Sequence, residues 1–325
     1  MINYQYINAR AKALENGLLG KDRLNRIAES SSAEEGLKIL YEVNFGEGAV
    51  ISSPLEFETL VSVEQTKLYN FIRQIGEGFF FGDFILLQND FHNAEAYIKS
   101  KYLKIPVEKM LVPEGKYKLE LLAEKIMTDE YKGLDKYLAE ALLLADSEFV
   151  SGKATGRSIN SIFKKSLYKR LHELSNKDKD LKAIYSAKAD CANIAIALRT
   201  RNYQIASESF VEGGTLTESE KQSLCEESID ALRENSKFFG GADFVKAALA
   251  ENIGSPLTEF ELLSDGYAVK YLKKQKYSVE GIKPLMLYVY YKLAELTNVR
   301  IAMVGLINGL NETDVKRRMR ETYEG

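Results

Sequence analysis

The sequence predicts an all-α protein. Three observations carry this reading. Prolines are few, only 5 in 325 residues, and most stand at helix starts. Apolar residues recur at the helical period. No stretch alternates β-branched residues between Asn-Gly or Asp-Gly turns.

The elements follow in chain order. Ser31-Ser32-Ala33-Glu34 has the spacing of a capping box, in which a hydroxyl and a carboxylate three residues on satisfy each other's backbone N–H. Gly46-Glu47-Gly48 and Gly76-Glu77-Gly78 read as helix terminators rather than dinucleotide fingerprints. Ser53-Pro54-Leu55-Glu56 sets a Ser N-cap, a Pro at the first helical position and a Glu at the third. Behind it, Leu55, Thr59, Leu60, Val63, Leu68, Phe71 and Ile72 predict one buried helix stripe. Phe79-Phe80-Phe81 cannot all face one stripe, so they are either an exposed contact or buried between helical units.

Further along, Gly152-Lys153-Ala154-Thr155-Gly156-Arg157-Ser158 hints at a phosphate loop. It is one residue short between its glycines, has Arg157 where Lys is needed, and no strand precedes it, so an interhelical loop is expected. Ile159, Ile162, Phe163, Leu167, Leu171 and Leu174 form a second stripe. Thr217-Glu218-Ser219-Glu220 is another capping box, and Ser255-Pro256-Leu257-Thr258-Glu259 repeats the Ser-Pro-Leu start one residue looser. Asn311 is formally a glycosylation acceptor but reads better as the N-cap of a last helix.

Composition narrows the function classes. With 45% hydrophobic, 28% charged and 10% aromatic residues the chain is ordinary globular protein, long enough for two or three domains or repeats. A net charge of -3 argues against a general nucleic-acid binder, which shows a basic excess. Cys191 and Cys225 make no disulfide framework, and two histidines, His92 and His172, make no thiolate–imidazole metal cluster. Neither histidine has a nearby Ser or Cys nucleophile, and His172 reads as part of a solvated helix face. The N-terminus lacks a signal-peptide pattern. The longest apolar runs, Phe79–Leu87 and Leu285–Leu293, are broken by Gly82-Asp83 and by Lys292, so no membrane span is expected. A cytoplasmic protein that meets membranes only through a partner or surface is the consequence.

An internal repeat organises the chain. Asp90-Phe91-His92-Asn93 through Lys99-Ser100-Lys101 aligns without gaps on Asp190-Cys191-Ala192-Asn193 through Arg199-Thr200-Arg201. The shared pattern is acid-x-x-Asn, an aliphatic position, then basic–hydroxyl–basic. A third copy, Glu295-Leu296-Thr297-Asn298, keeps the acid and the Asn but ends on Val304-Gly305-Leu306. A fainter copy, Tyr6-Ile7-Asn8-Ala9-Arg10, opens the chain. The flanks Leu111-Val112-Pro113-Glu114-Gly115 and Phe210-Val211-Glu212-Gly213-Gly214 also match. Three helical units are therefore expected, over 1–114, 115–213 and 214–325.

Acid and Asn at i and i+3 share a helix face, where Asp90/Asn93, Asp190/Asn193 and Glu295/Asn298 could hold an ion or a substrate. The alternative is that each Asn bonds the backbone of a neighbouring helix or loop. Threefold recurrence favours the second, since catalytic constellations are normally asymmetric. Lys99/Lys101 and Arg199/Arg201 occupy matching positions and are either solvated or face an acidic partner. The cluster Lys316-Arg317-Arg318 with Arg320 suits the C-terminal end of a last helix.

The repeated Asp-x-x-Asn helices, the opening Tyr6-Ile7-Asn8-Ala9-Arg10 and the ending Leu296-Thr297-Asn298-Val299-Arg300-Ile301 resemble the C subunit of archaeal and bacterial V/A-type rotary ATPases. The d subunit of the eukaryotic vacuolar enzyme belongs to the same family. The resemblance runs over essentially the whole chain. It implies a non-catalytic rotor part without cofactors: a funnel of three pseudo-symmetric helical lobes, one copy per complex, peripheral on the cytoplasmic face. In that family its narrow side sits on the membrane proteolipid ring and its cavity receives the D and F subunits of the central shaft. Rotation then passes between ATP hydrolysis or synthesis and proton or sodium transport. Arg10, Lys99, Lys101, Arg199, Arg201 and Arg300 are the expected partner-facing residues, although Val304 to Leu306 leave a basic ring incomplete. The competing readings are a helical-repeat scaffold for unrelated partners and an all-α enzyme. The prenyl-synthase version of the latter needs D-D-x-x-D motifs, which are lacking.

Overall fold

The computed structural model describes residues 3–76, 78–226, 258–274 and 281–324. It is all-α, with no strand among the described residues. The start Ser255-Pro256-Leu257 lies outside them. None of the described helices is long and apolar enough to cross a membrane.

The chain divides into two compact units, residues 1–77 with 261–325, and residues 78–260. In the first, α1 (Tyr4–Glu15), α2 (Gly20–Ala28), α3 (Ala33–Glu42) and α4 (Glu58–Gln74) surround the 25-residue α13 (Lys283–Ile307), and α14 (Glu312–Arg318) closes over α2 and α13. Helix α12 (Thr258–Lys273) runs into this unit. The core is built from Leu24, Ile27, Leu40, Phe45, Leu60, Val61, Val299 and Met303. A Cβ on Gly36 of α3 would press on Leu306 and Met303 of α13, so a residue without a side chain is what lets these helices approach.

In the second unit the 24-residue α5 (Phe80–Leu103) packs against α6 (Leu119–Met127), α7 (Lys136–Val150) and α8 (Gly156–Ser175). Helix α8 leads to α9 (Lys179–Thr200), which carries α10 (Tyr203–Ser207) and α11 (Glu218–Glu226).

The capping signals fold nearly as read. Thr217 and Glu220 form a reciprocal box, Glu220 N to Thr217 Oγ1 at 3.3 Å and Thr217 N to Glu220 Oε2 at 2.7 Å. Asn311 caps α14, accepting from Asp314 N at 2.8 Å. The first box shifts by one residue: Ser32 is the N-cap, and the Glu35 carboxylate takes Ser31 N at 2.7 Å. Ser53 heads a 3-10 turn, Pro54–Glu56, and α4 proper starts only at Glu58. That short turn rotates the stripe. Leu55 and Thr59 face outward, and Val61 and Glu64 take inner positions beside Leu60, Leu68, Phe71 and Ile72.

Phe79 and Phe81 are buried and Phe80 half-buried. Gly152–Ser158 is an exposed turn into α8, with Thr155 and Ser158 capping each other's backbone. His172 departs from expectation. It is half-buried and stacks on the Tyr185 ring, centroids 5.6 Å apart, rather than lying on a solvated face. His92 is exposed and its Nε2 lies 2.7 Å from Met110 O.

Candidate functional site

The three acid-x-x-Asn segments lie in the middle of the three longest described helices, α5, α9 and α13. All six side chains are at most 1% exposed. A buried amide has two donors and an acceptor to satisfy, so its surroundings are fully determined. Each Asn pairs with both backbone polar groups of one residue. Asn93 donates to Val112 O at 2.8 Å and accepts from Val112 N at 2.8 Å. Asn193 does the same to Val211, at 2.9 and 2.8 Å. Asn298 does it to Arg320, at 2.9 and 2.7 Å. An amide offers one donor and one acceptor side by side, which is why Asn recurs where Asp or Leu would leave a buried backbone group unpaired.

The acids hold what comes next in the fold. Asp90 accepts from Lys116 N at 2.8 Å and Tyr117 N at 3.1 Å, just ahead of α6. Asp190 accepts from Thr215 N at 2.7 Å, Leu216 N at 3.0 Å and Thr215 Oγ1 at 2.6 Å, just ahead of α11. Glu295, one methylene longer, takes Leu19 N at 2.5 Å, at the head of α2. Each carboxylate thus sits by the positive end of a helix. A Cβ on Gly115 would run into Asp90 Oδ1, and one on Gly214 into Asp190 Oδ1, so both glycines are fixed by the close approach of backbone to carboxylate. Burial pushes the Asp190 carboxyl above its ordinary range, although its three donors pull the other way.

In the first unit this arrangement gains a charge cluster that sequence reading missed. Lys292, 4% exposed, bonds Glu295 Oε1 at 2.6 Å and Glu64 Oε2 at 2.7 Å. Glu64 also accepts from Gly46 N at 3.0 Å and Lys67 Nζ at 2.5 Å. Burial pulls the Lys292 ammonium down, but the carboxylates of Glu295 and Glu64 outweigh it and hold it above the ordinary lysine range. Burial raises Glu295 against the pull of Lys292. At Glu64 burial also raises the pKa, yet Lys292, Lys67 and the Gly46 N–H together leave it lowered. The signal was present: a lysine inside an apolar helical run, with Glu at i+3, has to find anions when that run is buried.

The fainter first copy differs. Asn8 on α1 donates to Gly281 O at 2.9 Å, and its Oδ1 is buried with no partner among the described residues. The basic residues are brought to separate places. Arg10 reaches Gln74 Oε1 at 3.1 Å and lies over the Phe71 ring, 5.1 Å from its centroid. Lys99 pairs with Glu95. Lys101 pairs with Asp129 and lies 3.4 Å from Asp146, which also accepts from the Tyr102 hydroxyl at 2.8 Å. Arg300 reaches Glu58 at 3.0 Å and Gln65 at 3.1 Å. Intramolecular partners therefore hold Arg10, Lys99, Lys101 and Arg300 in place. Arg199 is exposed, and Arg201 caps α9 in the left-handed region with φ of 50°. Cys191 and Cys225 are buried and not joined in a disulfide.

The carboxylate oxygens of Asp90, Asp190 and Glu295 accept from backbone N–H groups, the Thr215 hydroxyl and Lys292, so these side chains fasten loops and helix starts to the long helices. Residues 7–318 match the family described as ATP synthase (C/AC39) subunit. The chain is 23% identical to the C subunit of the A-type ATP synthase of Methanocaldococcus jannaschii, over 96% of this chain and 85% of that protein. It is 20% identical to the C subunit of the V-type sodium ATPase of Enterococcus hirae, over 99% of this chain and all of that protein. To the C subunit of the A-type ATP synthase of Pyrococcus abyssi it is 25% identical, over 87% and 85% of the two chains. A match spanning nearly the whole length, on a fold without strands among its described residues, places the chain in the ATP synthase (C/AC39) subunit family, whose members belong to rotary V/A-type ATPases.

Proposed function

We propose that the chain is the non-catalytic rotor adaptor of its ATPase, linking the D and F subunits of the central shaft to the membrane proteolipid ring. In this reading one copy per complex sits on the cytoplasmic face and passes rotation between nucleotide turnover and ion transport. Its three helical units, 1–114, 115–213 and 214–325, would each be built on one of the long helices α5, α9 and α13. The observation that carries the proposal is the family match over residues 7–318, and three buried Asn clamps supply rigid fastening of the kind such a part needs.

An adaptor under torque needs stiffness. Two-bond amide clamps and buried carboxylates fix loop against helix in one register, which a purely apolar contact does not do. Of the six basic residues expected to face partners, Arg199 is exposed at the end of a long helix, and we place it at the partner surface.

The test is a tagged pull-down from gently solubilised native membranes, with co-purifying chains identified by mass spectrometry. Recovery of a small proteolipid, a coiled-coil shaft protein and the nucleotide-binding subunits is the expected result. Recovery of soluble partners alone would favour a helical scaffold outside any rotary enzyme.

A further inference from the structure

Between Lys153 and Arg201 the chain carries twelve Lys and Arg against four Asp and Glu, although its overall net charge is -3. The excess falls on α8 and α9, which lie side by side. On α8, Arg157, Ser161, Lys164, Lys165 and Tyr168 share one face. Neutral atoms hold this face. Arg157 Nη2 donates to Ile205 O at 3.2 Å, Ser161 Oγ to Glu208 O at 3.0 Å, and Lys165 Nζ to Glu208 O at 2.8 Å. Lys164 is half-buried and lies 6.0 Å from the centroid of the Tyr168 ring.

None of Arg157, Lys164 and Lys165 has an ion pair among the described residues. Elsewhere on α8 the cations are neutralised: Arg170 by Asp135 at 2.7 Å and Glu173 at 2.9 Å, Lys169 by Glu212 at 3.7 Å. Burial pushes the Lys164 ammonium down, and the Arg199 guanidinium pushes it further. A cation kept half out of water, beside a second cation and without an anion, weakens the isolated chain. An anion supplied from outside would remove that cost.

We propose that this face of α8, centred on Arg157, Lys164 and Lys165, is the docking surface for an acidic protein segment of a neighbouring subunit. It rests on the reading of the chain as a rotary-ATPase component. A carboxylate on a side chain can enter to the half-buried Lys164, whereas a flat anionic lipid surface meets only the outer charges. The carbonyls of Ile205 and Glu208 leave Arg157 and Lys165 charged and fixed in position, ready to be paired.

The test uses the assembled complex. Carbodiimide treatment of native membranes joins lysine amines directly to carboxylates in contact, and mass spectrometry then locates the links. The proposal expects a link from Lys164 or Lys165 to an Asp or Glu of another subunit. In parallel, the variant Arg157→Gln/Lys164→Gln/Lys165→Gln should lower retention in the complex about 10-fold at 0.15 M salt, with a larger loss at low salt and a smaller one at high salt, where screening weakens the wild-type contact itself. Lys164→Gln alone should shift retention in the same direction. Co-purification of the wild-type chain with the complex checks the rotary-ATPase reading separately. If the wild type assembles and the triple variant is retained equally at every salt concentration, the docking surface is refuted. It is equally refuted if the substitutions abolish only binding to phosphatidylglycerol vesicles and leave assembly unchanged.

Discussion

Changing Asn193 to Asp alters one atom of the clamp and little of its shape. The wild-type amide donates to Val211 O at 2.9 Å and accepts from Val211 N at 2.8 Å, both fully buried. The carboxylate keeps the acceptor and replaces the donor by an oxygen facing a carbonyl oxygen. One hydrogen bond of about 1 kcal/mol is lost, and a buried carbonyl left unpaired costs about 1–3 kcal/mol more. Together these come to roughly 2–4 kcal/mol at pH 7, before any charge penalty. Protonation restores a donor, so the folded state favours the neutral acid and its folded pKa rises above the unfolded one. The deficit is therefore fully present above that raised pKa and shrinks as pH falls through the window between the two values. The assay is urea unfolding followed by circular dichroism at pH 7 and pH 5, with hydrogen exchange of the Phe210–Leu216 segment as the local readout. Equal stability of Asn193→Asp and wild type at pH 7, or a deficit that does not shrink on acidification, would show that the amide does not hold the Val211 peptide.

Lys292→Met leaves Glu64 and Glu295 buried without their shared cation and should cost about 3–5 kcal/mol, read by urea midpoint; the double change with Glu64→Gln should recover part of it. Gly115→Ala forces a methyl onto Asp90 Oδ1 and should destabilise by about 1–3 kcal/mol, with faster exchange at the Lys116 and Tyr117 amides that donate to Asp90. The lowered pKa of Glu64 makes its stabilisation fully present above its ordinary value of 4.5 and lost as pH falls below that, so Glu64→Gln should flatten the acid limb of a melting-temperature profile there. Raised pKa values at Asp190 and Glu295 act with the opposite sign, since stability they contribute grows as pH falls through their window. Asp190→Asn should therefore lose the rise in stability that the wild type shows there.

Much of this was legible in the sequence because it was local or repeated. The helix period, the Thr217 box and the Asn311 cap depend on neighbours in the chain, and each formed where its residues predicted. The acid-x-x-Asn segments and their Val-x-x-Gly flanks could be aligned, although sequence alone left their partners open. What escaped was decided by contacts distant in sequence. Leu55 reads as stripe and faces solvent because a 3-10 turn, not an α-helix, follows Ser53. His172 reads as surface and stacks on Tyr185 because Gly213 leaves room beside both rings. Lys292 reads as an interruption of an apolar run, and its meaning depends on Glu64, 228 residues away.

Such polar fastening also fixes register. An apolar loop pressed on a helix gains nearly the same free energy if it slides by one residue, because burial depends on area and not on register. An Asn clamp gains nothing from such a slide, since in extended chain the next residue along presents its N–H and C=O in the other direction. The glycine that admits the carboxylate three residues later adds a second fixed point, from Val112 to Gly115 and from Val211 to Gly214. Two fixed points set both the position and the direction of the loop entering the following helix. In the third case the points are Arg320 and Leu19, drawn from opposite ends of the sequence, and Tyr323 O accepts Lys21 N at 2.8 Å alongside them. Loosening either end should therefore free the head of α2 and the tail after α14 together. Hydrogen exchange in Asn298→Leu would then rise at Lys21 as well as at Arg320. A rise confined to Arg320 would mean that the two ends are held independently.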